Sequence, residues 1–232
     1  MKRALIIGAT SSLSVTLCRA LAKNGWVCDL LGRNETELTI LAADLSARFN
    51  IECDIIIADL HSPPPALNYA SYQSIFMLAG VITDDISVSM QVNVTAPCIM
   101  LQQAAYQMKQ RGIEQREQCH VIIVSSVAGE RGRASNYVYG AAKAALTAFA
   151  SGLRNEMQPF GIHVLTVKPG FIDTSMTYHI TSSLMGKRST VTRDILRAMH
   201  TRKDVIYTPS FWSVIMFIIR HIPERIFKRL SL

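Results

Sequence analysis

The segment Ser125-Ser126-Val127-Ala128-Gly129 is followed closely by Asn136-Tyr137-Val138-Tyr139-Gly140-Ala141-Ala142-Lys143. Tyr139 and Lys143 stand four residues apart, so a helix brings both to one face. There an ammonium beside a phenol favours the ionised phenol and lowers its pKa. Reducing a carbonyl requires a hydride on carbon and a proton on the developing alkoxide. A tyrosine of lowered pKa can supply that proton near neutral pH, and the Ser126 hydroxyl can hydrogen-bond the same oxygen.

Such chemistry needs a hydride carrier, and the beginning of the chain offers a place for one. Ile7-Gly8-Ala9-Thr10-Ser11-Ser12-Leu13-Ser14 closes an apolar strand and leads into a helix through Leu17, Ala20 and Leu21. A dinucleotide pyrophosphate would rest there, over Gly8, Thr10, Ser11, Ser12 and Leu13, on free N–H groups at the positive end of the helix. Most of the usual glycines are missing. Ser12 and Ser14 stand where close backbone approach favours glycine, and their small hydroxyls can still fit and donate to phosphate. An ordinary strand-to-helix turn accounts for this segment equally well.

The second strand ends in Leu30-Leu31-Gly32-Arg33-Asn34, with no acid to receive the ribose hydroxyls of NAD. A guanidinium at Arg33 would instead clamp a 2′-phosphate, which favours NADP(H) over NAD(H). The plain alternative is a solvated arginine at the start of a helix. Asp59-Leu60, after the third strand, would accept from the adenine amine, or Asp59 would cap a turn.

The elements that must position these groups alternate along the chain. Apolar runs near 3–7, 26–31, 52–57, 74–78, 120–125, 162–167 and 204–208 read as strands. Helical segments fall near 12–24, 34–48, 85–111 and 134–158, with two or three more after 173. His61-Ser62-Pro63-Pro64-Pro65 is a loop. The pattern predicts an α/β fold: a doubly wound, mostly parallel sheet of seven strands covered by helices on both faces. Ligands of such a sheet lie beyond the strand C-termini.

The 232 residues, 49% apolar and 18% charged, suit one domain with its own core. We divide it into a core over 1–208 and a C-terminal helical extension over 209–232. The net charge of +7 lies in the last stretch, residues 187–232, since residues 1–186 hold fourteen basic and fourteen acidic groups. Its basic groups interleave with acids and apolar residues rather than forming a nucleic-acid motif, so no nucleic-acid partner is expected. Cys18, Cys28, Cys53, Cys98 and Cys119 contain no CxxC, which argues against a metal site or a disulfide framework. Lys2-Arg3 before Ala4-Leu5-Ile6-Ile7 imitates a signal peptide briefly, but a first strand is the better reading. The apolar run from Val214 to Ile219 falls well short of the ~20 residues of a spanning helix.

Together these segments resemble the short-chain dehydrogenase/reductase family over nearly the whole length. The family's serine lies thirteen residues before its tyrosine, which selects Ser126 over Ser125, and its Tyr-x-x-x-Lys falls on Tyr139 and Lys143, leaving Tyr137 aside. The resemblance implies a Rossmann fold and a Ser-Tyr-Lys oxidoreductase in which Tyr139 and Lys143 also touch the cofactor. It gives Asn93, in Gln91-Val92-Asn93-Val94-Thr95, the helix asparagine that holds a water in the proton relay; a helix asparagine bonded to a carbonyl is the structural alternative. Lys168-Pro169-Gly170-Phe171-Ile172-Asp173-Thr174 is similar to the family's Pro-Gly segment, which carries nicotinamide-seating roles to Pro169, Gly170, Ile172 and Thr174. Two motifs depart from the family: its Thr-Gly-x-x-x-Gly-x-Gly is here Ile7 to Ser14, and its Asn-Ala-Gly is Leu78-Ala79-Gly80. The cofactor roles of Ala79 and Gly80 rest on that second match.

In the tail, Pro209 is placed to open a helix that is apolar nearly all round through Ile222. Pro223 to Leu230 follows as a short amphipathic helix with basic groups opposite Ile226, Phe227 and Leu230. It would lie on an anionic membrane surface or bury against a partner subunit. The tail loosely resembles that of reductases acting on a keto-sugar carried by a polyprenyl phosphate, the decaprenylphosphoryl-ribose 2-epimerase reductase type. That resemblance implies a lipid-linked carbonyl substrate and a cytoplasmic location, peripheral at the inner face of the membrane. Small-molecule carbonyl substrates, whether fatty-acyl, steroid or small aldehyde, stay open beside it. The family implies a homodimer or homotetramer. An alternative function, a nucleotide-sensing or scaffolding protein with little or no catalysis, accommodates the altered glycine segment.

Overall fold

The computed structural model describes residues 2–114, 118–178, 182 and 184–230. Seven strands, β1 (Lys2–Ile7), β2 (Trp26–Gly32), β3 (Ile55–Ile57), β4 (Ser74–Met77), β5 (His120–Val124), β6 (His163–Pro169) and β7 (Val205–Thr208), form one sheet in the order β3-β2-β1-β4-β5-β6-β7. Every neighbouring pair is parallel. The chain order turns back between β1 and β4, and that switch point is where a doubly wound sheet opens a crevice for ligands.

Helices cover both faces, as the sequence predicts. The two-residue alternation of β1 shows why: Ala4 and Ile6 enter one core layer, while Leu5 and Ile7 enter the other. The first layer is closed by Leu13, Leu17 and Leu21 of α1 (Ser12–Lys23), Leu38, Leu41 and Leu45 of α2 (Glu35–Phe49), and Val191 and Ile195 of α6 (Arg188–His200). The second is closed by Met100, Leu101 and Met108 of α4 (Ala96–Glu114) and Leu146, Ala150 and Leu153 of α5 (Tyr137–Met157). Two further helices, α7 (Trp212–His221) and α8 (Glu224–Phe227), follow the last strand.

Three details depart from the sequence reading. The predicted helix over 85–111 is α3 (Ile86–Met90), then a π turn at Gln91–Thr95, then α4. The third strand starts at Ile55 rather than 52, because the Asp29 carboxylate, 3.1 Å away, takes the Asp54 N–H. Pro209 does not open α7; a turn in which the Trp212 N–H donates to the Pro209 carbonyl at 3.1 Å comes first. Between β6 and α6, Thr174, Met176 and Thr177 line the cleft described below, while α6 itself buries Val191, Ile195 and Ala198 in the core.

The tail is packed into the molecule on one face and open on the other. Trp212 and Met216 are buried against Val127, and the Trp212 ring meets Phe171 edge-on at 5.4 Å. A side chain at Gly170 would place its Cβ 2.0 Å from that indole, so only glycine lets the β6 loop and the tail touch. Arg131 donates to the Ile219 and Ile222 carbonyls, each at 2.6 Å, pairs with Glu224 at 2.9 Å, and stacks on Phe227. Beside it, buried Glu130 joins Lys168 and Arg220. The opposite face exposes Val214, Phe217 and Ile218.

Candidate active site

The C-terminal ends of β5, β6 and β1 border a cleft of about 390 Å³. Ser126 follows β5 in extended backbone, and its Oγ accepts from the Ala128 N–H at 3.1 Å. The same hydroxyl hydrogen-bonds the Tyr139 phenol. Ser125 is used differently: its Oγ donates to the Lys143 carbonyl at 3.0 Å and lies 2.6 Å from Thr147 Oγ1, which pins α5 to the end of β5. That pinning sets the first turn of α5 against Ser126. Tyr139 faces the cleft, whereas Tyr137 is 63% exposed.

Lys143 lies one turn below Tyr139, 3% exposed, with its ammonium donating to the Val124 carbonyl at 3.2 Å. The ammonium sits over the Tyr139 ring, 5.7 Å from its centre. The expected lowering of the phenol pKa is therefore not what this geometry produces. Burial pushes Tyr139 up to about 12, eased by the Ser126 hydrogen bond, and burial pulls Lys143 down to about 8. Desolvation wins at Lys143, where no carboxylate among the described lining residues offsets it, and at Tyr139, where the Ser126 hydrogen bond offsets only part of it.

Asn93 is fully buried in the π turn. Its Oδ1 accepts from the Val81 N–H at 3.0 Å and its Nδ2 donates to the Val81 carbonyl at 2.9 Å, with a longer 3.3 Å contact to Ser89 Oγ. The side chain thus clamps the loop after β4. A Cβ on Gly80 would stand 2.9 Å from Asn93 Oδ1 and 3.2 Å from Lys143 Nζ, so the three residues meet at one point. The extra residue of the π turn aims Asn93 inward at this point, a common use of such turns near functional sites.

At the other end of the cleft, Gly8 adopts φ +84, and a side chain there would stand 2.7 Å from the Ala79 N–H. This is a cradle in which two strand ends approach too closely for any Cβ. Ser14 fills the space of the missing glycine productively: buried, it donates to the Gly8 carbonyl at 2.7 Å and touches Ser11 Oγ, which caps the Ser14 N–H. Ser12 Oγ is buried without a hydrogen-bond partner. The first-turn N–H groups of α1 at Ser12 and Leu13 have no acceptor among the described residues. An orphaned hydroxyl beside free N–H groups at a helix N-terminus fits a dinucleotide phosphate.

The structure brings Ser11, Leu13, Gly80, Ser126, Tyr139, Lys143, Pro169, Gly170, Ile172 and Thr174 to the walls of the one cleft. Gly8, Thr10, Ser12, Ala79 and Asn93 are not among its lining residues: Gly8 packs on Ala79, Asn93 stands behind Gly80, and Thr10 lies against Gly32. Arg33 stands apart, exposed at the end of β2, close enough to Asp59 to hold its carboxyl low, although His61 does more. Asp59 accepts from the His61 N–H at 3.0 Å and meets its ring at 2.7 Å, the turn-capping alternative. The Leu60 side chain is core, and its carbonyl accepts from Gln91 at 3.2 Å. Sequence reasoning missed Ile82, Arg133, Asn136, Phe171 and Met176, which also line the cleft. For Arg133 and Asn136 a signal was present, since both lie between the serine and the tyrosine.

A family model for the short chain dehydrogenase matches residues 2–184. The chain is 29% identical over 198 residues to the uncharacterized oxidoreductase YmfI of Bacillus subtilis (strain 168), with 78% of each covered. It is 27% identical over 224 residues to the 3-oxoacyl-(acyl-carrier-protein) reductase FabG of Rickettsia prowazekii (strain Madrid E), covering 90% of this chain and 88% of that one. A short-chain dehydrogenase from Sphingobium yanoikuyae, solved in complex with NADPH, superposes with a TM-score of 0.82 at 21% identity over 97% of both chains. The chain belongs to the short-chain dehydrogenase family of oxidoreductases.

Proposed function

We propose that this protein is an NADPH-dependent carbonyl reductase, interconverting a ketone and a secondary alcohol. The observation that carries this reading is the meeting of Ser126, Tyr139 and Lys143 in a cleft continuous with the first turn of α1. Ser11, Ser12 and Leu13 would receive the pyrophosphate, Arg33 the 2′-phosphate, and Pro169, Gly170, Ile172 and Thr174 the nicotinamide end. When bound, the nicotinamide supplies the hydride. Tyr139 donates its phenolic proton to the alkoxide oxygen as charge develops there, while Ser126 holds that oxygen by a second hydrogen bond. The Lys143 ammonium beneath the ring stabilises the phenolate left behind. Asn93 acts as a positioning residue through Val81 and Gly80. The apolar walls at Ile82, Phe171 and Met176 suit a substrate with a hydrophobic body, including a lipid-linked one.

Fluorescence titration with NADPH and NADH tests the cofactor. Arg33→Ala is expected to weaken NADPH about tenfold and NADH little, as loss of one charge-assisted contact implies. Tyr139→Phe is expected to slow ketone reduction by about a hundredfold or more while NADPH still binds. A protein that binds NADPH but turns over no ketone in a broad panel would instead be the nucleotide-binding scaffold. We further assign the open tail face to the inner membrane surface, supported by exposed Val214, Phe217 and Ile218 beside exposed Arg225, Lys228 and Arg229. Assembly as a homodimer or homotetramer accompanies the proposal and is read by light scattering.

A further inference from the structure

We propose that Arg133 is an oxyanion-binding residue of the substrate cleft, so that the ketone or alcohol this protein handles carries a carboxylate or phosphate group. The inference rests on the reductase reading and narrows its substrate class. Arg133 lies six residues before Tyr139 and lines the same cleft as Ser126 and Tyr139. Its Nε is buried and has no hydrogen-bond partner. No carboxylate among the described residues pairs with its guanidinium.

The contrast with Arg131, two residues earlier on the same loop, is instructive. Arg131 is fully engaged by the Ile219 and Ile222 carbonyls and Glu224. The loop therefore spends one arginine on holding the tail and turns the other, without a partner, to the cleft. A guanidinium does not lose its proton in a protein, so its burial without a counter-charge is unfavourable until something negative arrives. Burial alone acts on Arg133, drawing its pKa down, with no opposing acid. The cleft wall holds two cationic side chains, Arg133 and Lys143, and no Asp or Glu. A planar oxyanion fits a guanidinium fork with two hydrogen bonds.

The test uses matched ketones that differ only in charge: 4-oxocyclohexanecarboxylate against its methyl ester, and dihydroxyacetone phosphate against dihydroxyacetone. NADPH consumption gives kcat/KM for each in the wild type, Arg133→Met and Arg133→Lys. The wild type is expected to favour the anionic member of at least one pair by about tenfold to a hundredfold, the value of a charge-assisted contact. The pair that shows it distinguishes carboxylate from phosphate. Arg133→Met is expected to collapse that ratio toward one, and Arg133→Lys to retain part of it. NADPH titration of each variant checks that the fold and cofactor site persist. Saturation-transfer NMR of the same anions, with and without NADPH, reads the subsite without turnover. A wild type indifferent to charge, or a preference untouched in Arg133→Met, overturns the proposal. Failure of NADPH to bind the wild type overturns the reductase reading instead, while the NMR arm still reports on Arg133.

Discussion

At the scale of single residues, the site works with two groups whose ordinary charges are both disfavoured by burial. Tyr139 is held up to about 12 and Lys143 down to about 8, so at neutral pH the phenol keeps its proton and the amine keeps its charge. That is the state a proton donor for an alkoxide requires. Because the Lys143 pKa is lowered, its charge is present below about 8 and lost as the pH rises through that value. The kcat/KM for ketone reduction, which reports groups of the free enzyme, is therefore expected to fall on the alkaline side with a midpoint near 8. Lys143→Arg, which holds its proton throughout, is expected to move that limb to higher pH even if its overall rate is lower. A wild-type profile flat to pH 10 would sink this account. The residue types and spacing of Ser126, Tyr139 and Lys143 were legible in the sequence. The direction of their pKa shifts was not, because it depends on how deeply the fold buries both groups. Arg133 was equally hidden, since only the fold shows that it has no partner.

At the scale of elements, what the sequence dictates is alternation, and alternation placed every strand within a few residues. It failed where a tertiary contact overrides local periodicity. The segment 85–111 has helical spacing throughout, yet the pairing of Asn93 with Val81 inserts a π turn that no periodicity announces. The ends of β5 and β6 hold another pair invisible to sequence: His120 and His163, side by side in register, with their Nδ1 atoms 3.1 Å apart. His163 Nε2 lies 2.8 Å from the Lys203 carbonyl and so carries a proton, which leaves its Nδ1 to accept from His120. A second proton on His163 would fall on its Nδ1 and set donor against donor. Burial foremost, then His163, lowers the His120 pKa to about 3. A histidine depressed in the folded state binds its proton more readily when unfolded. Its contribution is complete above about 6.5 and is lost as the pH falls. Unfolding free energy is expected to drop by about 2 kcal/mol between pH 7.5 and pH 5 from this residue alone. Denaturant titrations of the wild type and His120→Gln at both pH values check it: the variant should lose much of that slope. Equal slopes would show that the pair is not the cause.

At the scale of the whole molecule, the sheet order, the crevice at its switch point and the layering of the core follow from the pattern of the sequence. The disposition of the tail does not. A helix apolar nearly all round suggested a segment without a home, but α7 spends Trp212 and Met216 on the core and holds its place through Gly170 and Arg131. What remains outside is a band of Phe211, Val214, Phe217 and Ile218, with Ile226 and Leu230 beyond it, flanked by exposed Arg225, Lys228 and Arg229. Residues 209–232 hold four basic groups, Arg220, Arg225, Lys228 and Arg229, against the single acid Glu224, so the segment that carries this band is net positive. An apolar strip bordered by cations matches the acyl–headgroup boundary of an anionic bilayer, where each basic group near the surface adds about 1 kcal/mol. The intact protein is therefore expected to float with vesicles of mixed phosphatidylglycerol and phosphatidylcholine at low salt and to stay behind with phosphatidylcholine alone. Val214→Ser combined with Phe217→Ser should abolish flotation through the apolar face. Arg225→Glu with Lys228→Glu should abolish it through the charge. Both pairs lie outside the buried face of α7, so thermal unfolding of each variant should stay near that of the wild type. If the intact protein ignores anionic vesicles, and the serine pair instead reduces its mass in light scattering, the face belongs to a second copy of the chain.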